Sequence, residues 1–66
     1  MITYPVTVKS IGTKLFEVEL LQLKSGLYVV RSDRRSQSSQ NYSEEINDFK
    51  TASYLFDLRL ADLEGN

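Results

Sequence analysis

The residues with the most obvious capacity for chemistry are two carboxylates, Glu17 and Glu19, separated by one position. Paired carboxylates perform general acid–base catalysis when an apolar setting raises the pKa of one of them. Here they alternate with Phe16, Val18 and Leu20, so both lie on the outer face of a predicted strand. A solvated strand face raises neither pKa, and we expect no acid–base site at this position.

Other catalytic chemistry is poorly represented in the chain. It has no cysteine and no histidine, which removes the usual ligands for zinc and copper and the Cys–His nucleophile pair. It has no glycine-rich phosphate loop, and 66 residues leave little room for a cleft of enzyme size. We therefore predict a protein that is not an enzyme and that has no metal and no cofactor.

Three arginines, Arg31, Arg34 and Arg35, form the candidate anion site, with Tyr28 and Tyr42 near them in sequence. Arginine beside an aromatic ring can bind phosphate and stack on nucleic-acid bases. Two features oppose this interpretation: the net charge is −1, and the middle strand would expose two glutamates that repel phosphate. A solubilising loop with salt-bridging arginines is the simpler interpretation, and nucleic-acid binding is the alternative function.

Composition limits the class and the location of the protein. The chain is 41% hydrophobic and 26% charged, as in a globular domain, and its length predicts a single domain spanning residues 1–66. The lack of cysteine argues against a disulfide-stapled secreted protein and predicts a cytoplasmic location. The first ten residues alternate instead of forming an apolar run, so no signal peptide is predicted. No segment approaches the roughly 20 apolar residues of a membrane span.

Residues 1–31 predict three consecutive β-strands. The connections, at Gly12 and Gly26, are short, which favours an antiparallel meander. Alternation of apolar and polar residues defines the strand segments. They are residues 2–9, 15–23 and 27–31.

Two local features modify this meander. Pro5 cannot donate a hydrogen bond to a strand ladder, so the first strand is expected at a sheet edge. Leu21 and Leu23 fall out of phase with the alternation before them. Either a bulge near Leu20 returns them to the core face, or the second face of the sheet is partly apolar and requires cover.

Residues 32–42 are predicted to be a polar loop. The segment has no apolar periodicity and exceeds the usual connection of about four to six residues. A mobile connector is the first interpretation, and a basic anion-binding loop is the second.

Residues 43–64 predict one α-helix. Ser43 suits the N-cap, and the charges of Glu44 and Glu45 suit the positive end of the helix dipole. Gly65 lies at a position typical of a helix C-terminus. Apolar residues spaced three and four apart form one helix face. They are Ile46, Phe49, Ala52, Phe56, Leu60 and Leu63.

A competing pattern overlaps the helix. Residues 56–60 also alternate, so residues 54–60 could instead be a fourth strand that closes a small SH3-like β-barrel. The cap, the length of the helical pattern and its helix-forming residues favour the helix. The predicted fold class is therefore α+β: a three-stranded antiparallel β-meander packed on one C-terminal α-helix, in the order β-β-β-α.

Tyr54, Leu55 and Leu58 lie outside the predicted core face of this helix. Three apolar side chains close together on the surface of so small a domain are typical of a contact site. We therefore expect a non-catalytic interaction domain that binds a protein partner or a second copy of itself, with no membrane partner.

Overall fold

The computed structural model describes residues 2–36 and 41–65. Its described part is an α+β fold in which an open antiparallel sheet is followed by one C-terminal helix. The strand order β1-β2-β3-β4 follows the chain. The elements are β1 (Val6–Gly12), β2 (Phe16–Gln22), β3 (Tyr28–Arg34), β4 (Asn41–Tyr42) and α1 (Phe49–Glu64). The predicted β-β-β-α fold is confirmed, and the barrel alternative is wrong because residues 54–60 lie within α1.

The core lies between α1 and the two central strands. Phe16, Val18 and Leu20 alternate along β2 and point towards the helix, where Ala52 and Phe56 cover them. Val30 of β3 is directly opposite Leu20 and completes the buried cluster. Because successive strand residues point to opposite faces, the same alternation sends Glu17 and Glu19 to the face away from the helix.

The sheet contains a bulge, but β2 remains regular. The register shift lies in β1 between Thr7 and Lys9, opposite Leu20 and Leu21. Leu21 therefore stays on the face away from the helix, where it is buried and pairs with Val29. Of the two alternatives, the partly apolar second face is the observed one.

Strand boundaries differ from the predicted ones at both edges of the sheet. β1 begins at Val6 because Pro5 has no amide hydrogen to donate, and its place at the edge confirms the expectation from Pro5. β3 continues to Arg34, and Asn41–Tyr42 pairs with it as β4. Part of the predicted loop 32–42 is therefore strand. Residues 37–40 of that loop lie outside the described residues.

The helix begins six residues later than predicted. Ser43 is not its N-cap; the Ser43 amide donates to the Val30 carbonyl at 2.9 Å, and the Ser43 hydroxyl accepts from the Val30 amide at 2.9 Å. Ile46 forms an antiparallel bridge with Tyr28. These bonds hold residues 43–46 against the sheet edge, so the helix cannot start there. The N-cap is Asp48.

Asp48 caps α1 through its side chain. Its carboxylate accepts hydrogen bonds from the hydroxyl and the amide of Thr51, each at 2.8 Å. Both bonds favour the ionised form and lower the pKa of Asp48. Gly65 forms the C-cap, and its amide donates to the Ala61 carbonyl at 2.9 Å. In the described part of the chain, the helix is too short and too polar to cross a membrane.

Candidate functional site

Arg31 lies on the face of the sheet away from the helix, and its residue surface is only 7% exposed. Its guanidinium binds three carboxylates. Nε donates to Glu19 at 2.8 Å, and one terminal nitrogen donates to Asp33 at 3.0 Å. The other terminal nitrogen bridges Glu17 and Glu19. We call these four residues the Arg31 cluster.

The register of the sheet explains this cluster. Arg31 is directly opposite Glu19, and Asp33 is directly opposite Glu17, across the β2–β3 pair. Same-face neighbours on adjacent strands lie within reach of one long side chain. A single arginine can therefore satisfy three carboxylates, because its guanidinium has five donors arranged as a fork.

Two groups of the cluster, Glu17 and Arg31, have shifted pKa values. The hydrogen bond from Arg31 lowers the pKa of Glu17 against the opposing effect of burial, and the charges of Arg31 and Arg35 lower it further. Burial lowers the pKa of Arg31, but the bonds to Glu17 and Glu19 outweigh burial, so its pKa is raised. Both shifts favour the charged forms, so Glu17 and Arg31 stay ionised at neutral pH.

The cluster has two functional consequences. A general acid requires a raised pKa, and the pKa of Glu17 is shifted in the opposite direction. Arg31 already donates four hydrogen bonds to the three carboxylates around it, so it does not offer a free guanidinium to an anion. The structure therefore separates Arg31 from Arg34 and Arg35, which the sequence suggested as one site.

The folded protein is expected to lose stability as the pH falls below 4.5, the ordinary pKa of Glu17. Because folding lowers this pKa, the stabilisation is complete above the pKa of the unfolded chain. It is lost as the pH falls through the pKa of the folded protein. Urea unfolding midpoints between pH 7 and pH 2 measure the effect. The acid limb is the part of the pH profile in which stability falls with pH. Glu17→Gln should make this limb less steep but should not abolish it, since Asp48 contributes in the same direction.

The matched control is Glu45→Gln, which changes an exposed glutamate outside the cluster. It should leave the acid limb as steep as in the parent protein. An acid limb that Glu17→Gln leaves unchanged would contradict the role given to the Arg31–Glu17 pair.

Arg34 and Arg35 lie at the end of β3, beside the turn between β1 and β2. The Arg35 amide donates to the Leu15 carbonyl at 2.9 Å, which ties the two segments together. With Lys14, Leu15 and Ser36, these arginines line a pocket of about 430 Å³ that is open to solvent. Sequence reasoning missed Lys14, because only the strand register brings it beside residues 34–36.

The three helix residues proposed for partner contact do not share one environment. Tyr54 is 64% exposed and Leu58 is 43% exposed, four residues apart on the outer face of α1. Leu55 is half-buried and packs against the core cluster. The structure therefore brings Tyr54 and Leu58 together on one surface and assigns Leu55 mainly to packing.

The outer face of α1 is longer than this pair. Thr51, Tyr54, Leu58, Ala61 and Gly65 are all exposed, and they are spaced by three, four, three and four residues. This spacing places them in one stripe, as along the seam of a coiled coil. We call these five residues the outer stripe. The 3-4 repeat was visible in the sequence, but a stripe with so few large apolar residues gives a weak signal.

The free edge of β1 is a competing contact surface, since Val8 and Ile11 are exposed there. Two features protect it. The bulge between Thr7 and Lys9 disrupts the regular backbone pattern, and Pro5 precedes the strand. Natural sheets use bulges and proline to prevent edge-to-edge pairing. The outer stripe has no such protection.

Comparison with known proteins finds no match among family models, curated proteins or solved structures. Among the described residues, no group of three or more acidic side chains is arranged to hold a metal ion.

Proposed function

We propose that this protein is a small, non-catalytic, cytoplasmic interaction domain that forms a homodimer through the outer stripe of α1. The observation that carries the proposal is the exposure of Tyr54 and Leu58 side by side on the helix face opposite the core. Tyrosine provides a large contact area at a low entropy cost, so it is a favourable anchor in an interface. The cytoplasmic location rests on the absence of cysteine.

The occupant of this surface is a second copy because the flanking charges are self-complementary. Lys50 and Glu64 flank the outer stripe at opposite ends, and both are exposed. If two α1 helices cross antiparallel near Leu58, Lys50 of each copy lies opposite Glu64 of the other. Ala61 and Gly65 are small enough to let the helices approach closely. The arrangement is isologous, as in most homodimers.

The same arrangement limits affinity. An antiparallel crossing near Leu58 brings Asp57 of the two copies towards each other, and like charges repel. The outer stripe also contains only two large apolar side chains. Interfaces of less than standard size are weak, so we expect a dissociation constant on the order of 10 µM or higher.

The non-catalytic part of the proposal rests on the Arg31 cluster. The paired glutamates that could have served as acid and base are ion-paired with Arg31, and the pKa of Glu17 is lowered. A carboxylate in this state is a structural partner and has no proton to donate at neutral pH.

Leu58→Asp is expected to weaken self-association at least about tenfold, which is about 1.4 kcal/mol. The substitution places a charge where the second copy would cover it, and burying an unpaired charge is costly. The monomer should remain folded, since Leu58 is exposed and the lower helix propensity of aspartate costs less than about 1 kcal/mol. Sedimentation equilibrium and far-UV circular dichroism measure the two effects.

Leu15→Asp is the matched control. Leu15 is an equally large and more exposed side chain, and it lies in a turn away from α1. It should leave the dimer intact. Equal weakening by Leu15→Asp and Leu58→Asp would indicate general hydrophobic association and would contradict the proposal, as would a parent protein that is monomeric at millimolar concentration.

A further inference from the structure

A second surface of the molecule combines charge with shape. The turn at Lys14 and Leu15 faces the end of β3, where Arg34 leads into Arg35 and Ser36. The register fixes this arrangement, because Phe16 pairs with Arg34 and the Arg35 amide donates to the Leu15 carbonyl at 2.9 Å. These five residues, Lys14, Leu15, Arg34, Arg35 and Ser36, line the pocket of about 430 Å³. We call them the basic pocket.

Two of the three cations in the basic pocket have no partner of opposite charge in the described part of the chain. Neither Lys14 nor Arg34 has a carboxylate within ion-pair distance. Arg35 is held in place, since its Nε donates to the Thr13 carbonyl at 3.2 Å. Its terminal nitrogen lies 3.6 Å from Glu17, a loose pair compared with those of Arg31.

From this arrangement we propose that the basic pocket binds a phosphate monoester. Three cations around one opening suit a dianion, and arginine can donate two parallel hydrogen bonds to phosphate oxygens. The Ser36 hydroxyl adds a neutral donor. A pocket of this size falls within the range of small-molecule sites and exceeds the volume of a phosphate group alone.

Leu15 indicates what the phosphate is attached to. Its side chain is 72% exposed at the wall of the pocket. An exposed leucine beside cations offers an apolar surface to the organic part of a ligand, while the cations bind its phosphate. The expected ligand is therefore a small phosphate monoester with an apolar or aromatic group.

A nucleic-acid backbone fits this surface less well. Binding a polymer requires a basic stripe that neutralises several phosphates in succession. Here the cations form a compact group, Glu17 and Asp33 lie on the neighbouring strand positions, and the chain has a net charge of −1. A single terminal phosphate needs only one opening, and it can contact Lys14 and Arg34, which have no carboxylate within ion-pair distance in the described part of the chain.

Phenyl phosphate titrated into the ¹⁵N-labelled protein tests the proposal. We expect saturable shifts confined to the amides of residues 14–15 and 34–36. The double variant Lys14→Gln/Arg34→Gln should weaken binding at least tenfold. The matched control is Lys24→Gln, which removes an exposed lysine at the opposite end of β2, and it should bind as the parent does. The same titration of Leu58→Asp should be unchanged, since the site uses none of the outer stripe.

Four outcomes would overturn the proposal. Amide shifts that do not saturate with phenyl phosphate would indicate general attraction of anions. The same conclusion would follow if Lys24→Gln weakened the binding as much as the double variant does. Stronger binding of a single-stranded oligonucleotide without terminal phosphates, through the same residues, would assign the pocket to a polymer backbone. Phenyl phosphate binding that the double variant retains would place the ligand elsewhere.

Discussion

Phe56→Ala is expected to destabilise the protein by about 4 kcal/mol, the typical cost of removing a buried phenylalanine. Phe56 is 2% exposed and lies at the centre of the cluster formed by β2, β3 and α1. The Nζ of Lys9 also lies 4.9 Å from the centre of its ring, a favourable cation–π contact that the substitution removes. A domain of this size has only about 3–5 kcal/mol of stability, so the variant should be largely unfolded at 25 °C.

Phe49→Ala is the matched control on the same helix. Phe49 is half-exposed, and its ring meets the ring of Tyr28 edge-on at a centroid distance of 5.6 Å. Its removal should cost about 1–2 kcal/mol, since it loses one aromatic contact and leaves no enclosed cavity. Urea unfolding followed by circular dichroism compares the two variants. Similar losses for both would contradict the position of the core.

Arg31→Met is expected to destabilise the protein by about 3 kcal/mol. Removing one partner of a buried ion pair leaves the other charges uncompensated, at a typical cost of about 3–5 kcal/mol. Here the three carboxylates retain some contact with water, so the lower end of that range applies. Methionine keeps the unbranched shape of the side chain, and the loss is therefore assigned to charge.

Two further variants separate charge from packing. Arg34→Met makes the same change at an arginine without a carboxylate partner in the described part of the chain, and it should cost less than about 0.5 kcal/mol. Adding Glu17→Gln and Glu19→Gln to Arg31→Met should recover at least half of the loss, because the uncompensated charges are removed. No recovery in the triple variant would indicate that Arg31 acts through packing alone.

The central part of the fold could be predicted from residue patterns in the sequence. Alternation in β2 identified Phe16, Val18 and Leu20 as core, and helical spacing identified Ala52 and Phe56. Both patterns are strong because each element is buried on one face and exposed on the other. These signals are local, and the short connections at Gly12 and Gly26 indicate that consecutive strands pair, so the meander and the C-terminal helix could both be predicted.

The start of the helix could not be predicted, because it depends on long-range pairing and not on a local pattern. Ser43 has ideal N-cap chemistry, yet it bonds with Val30, thirteen residues earlier in the chain. Asp48 was an equally suitable cap by residue type. Only the long-range pairing of residues 43–46 with β3 decides between them.

The sites depended on register even more strongly. Three arginines close in sequence suggested one anion site, but strand alternation sends Arg31 to the carboxylates of β2 and leaves Arg34 and Arg35 beside Lys14. The exposed glutamates that argued against phosphate binding are in fact the partners of Arg31. Their charge is therefore already neutralised in part.

The most direct test of the central claim is a charge exchange across the proposed dimer. Lys50→Glu and Glu64→Lys should each weaken self-association about tenfold at low ionic strength, because each disrupts two symmetric pairs and adds repulsion. The double variant Lys50→Glu/Glu64→Lys has the parent's net charge and should restore the parent dissociation constant in sedimentation equilibrium. A double variant as weak as the single variants, or single variants as strong as the parent, would contradict an antiparallel dimer through the outer stripe.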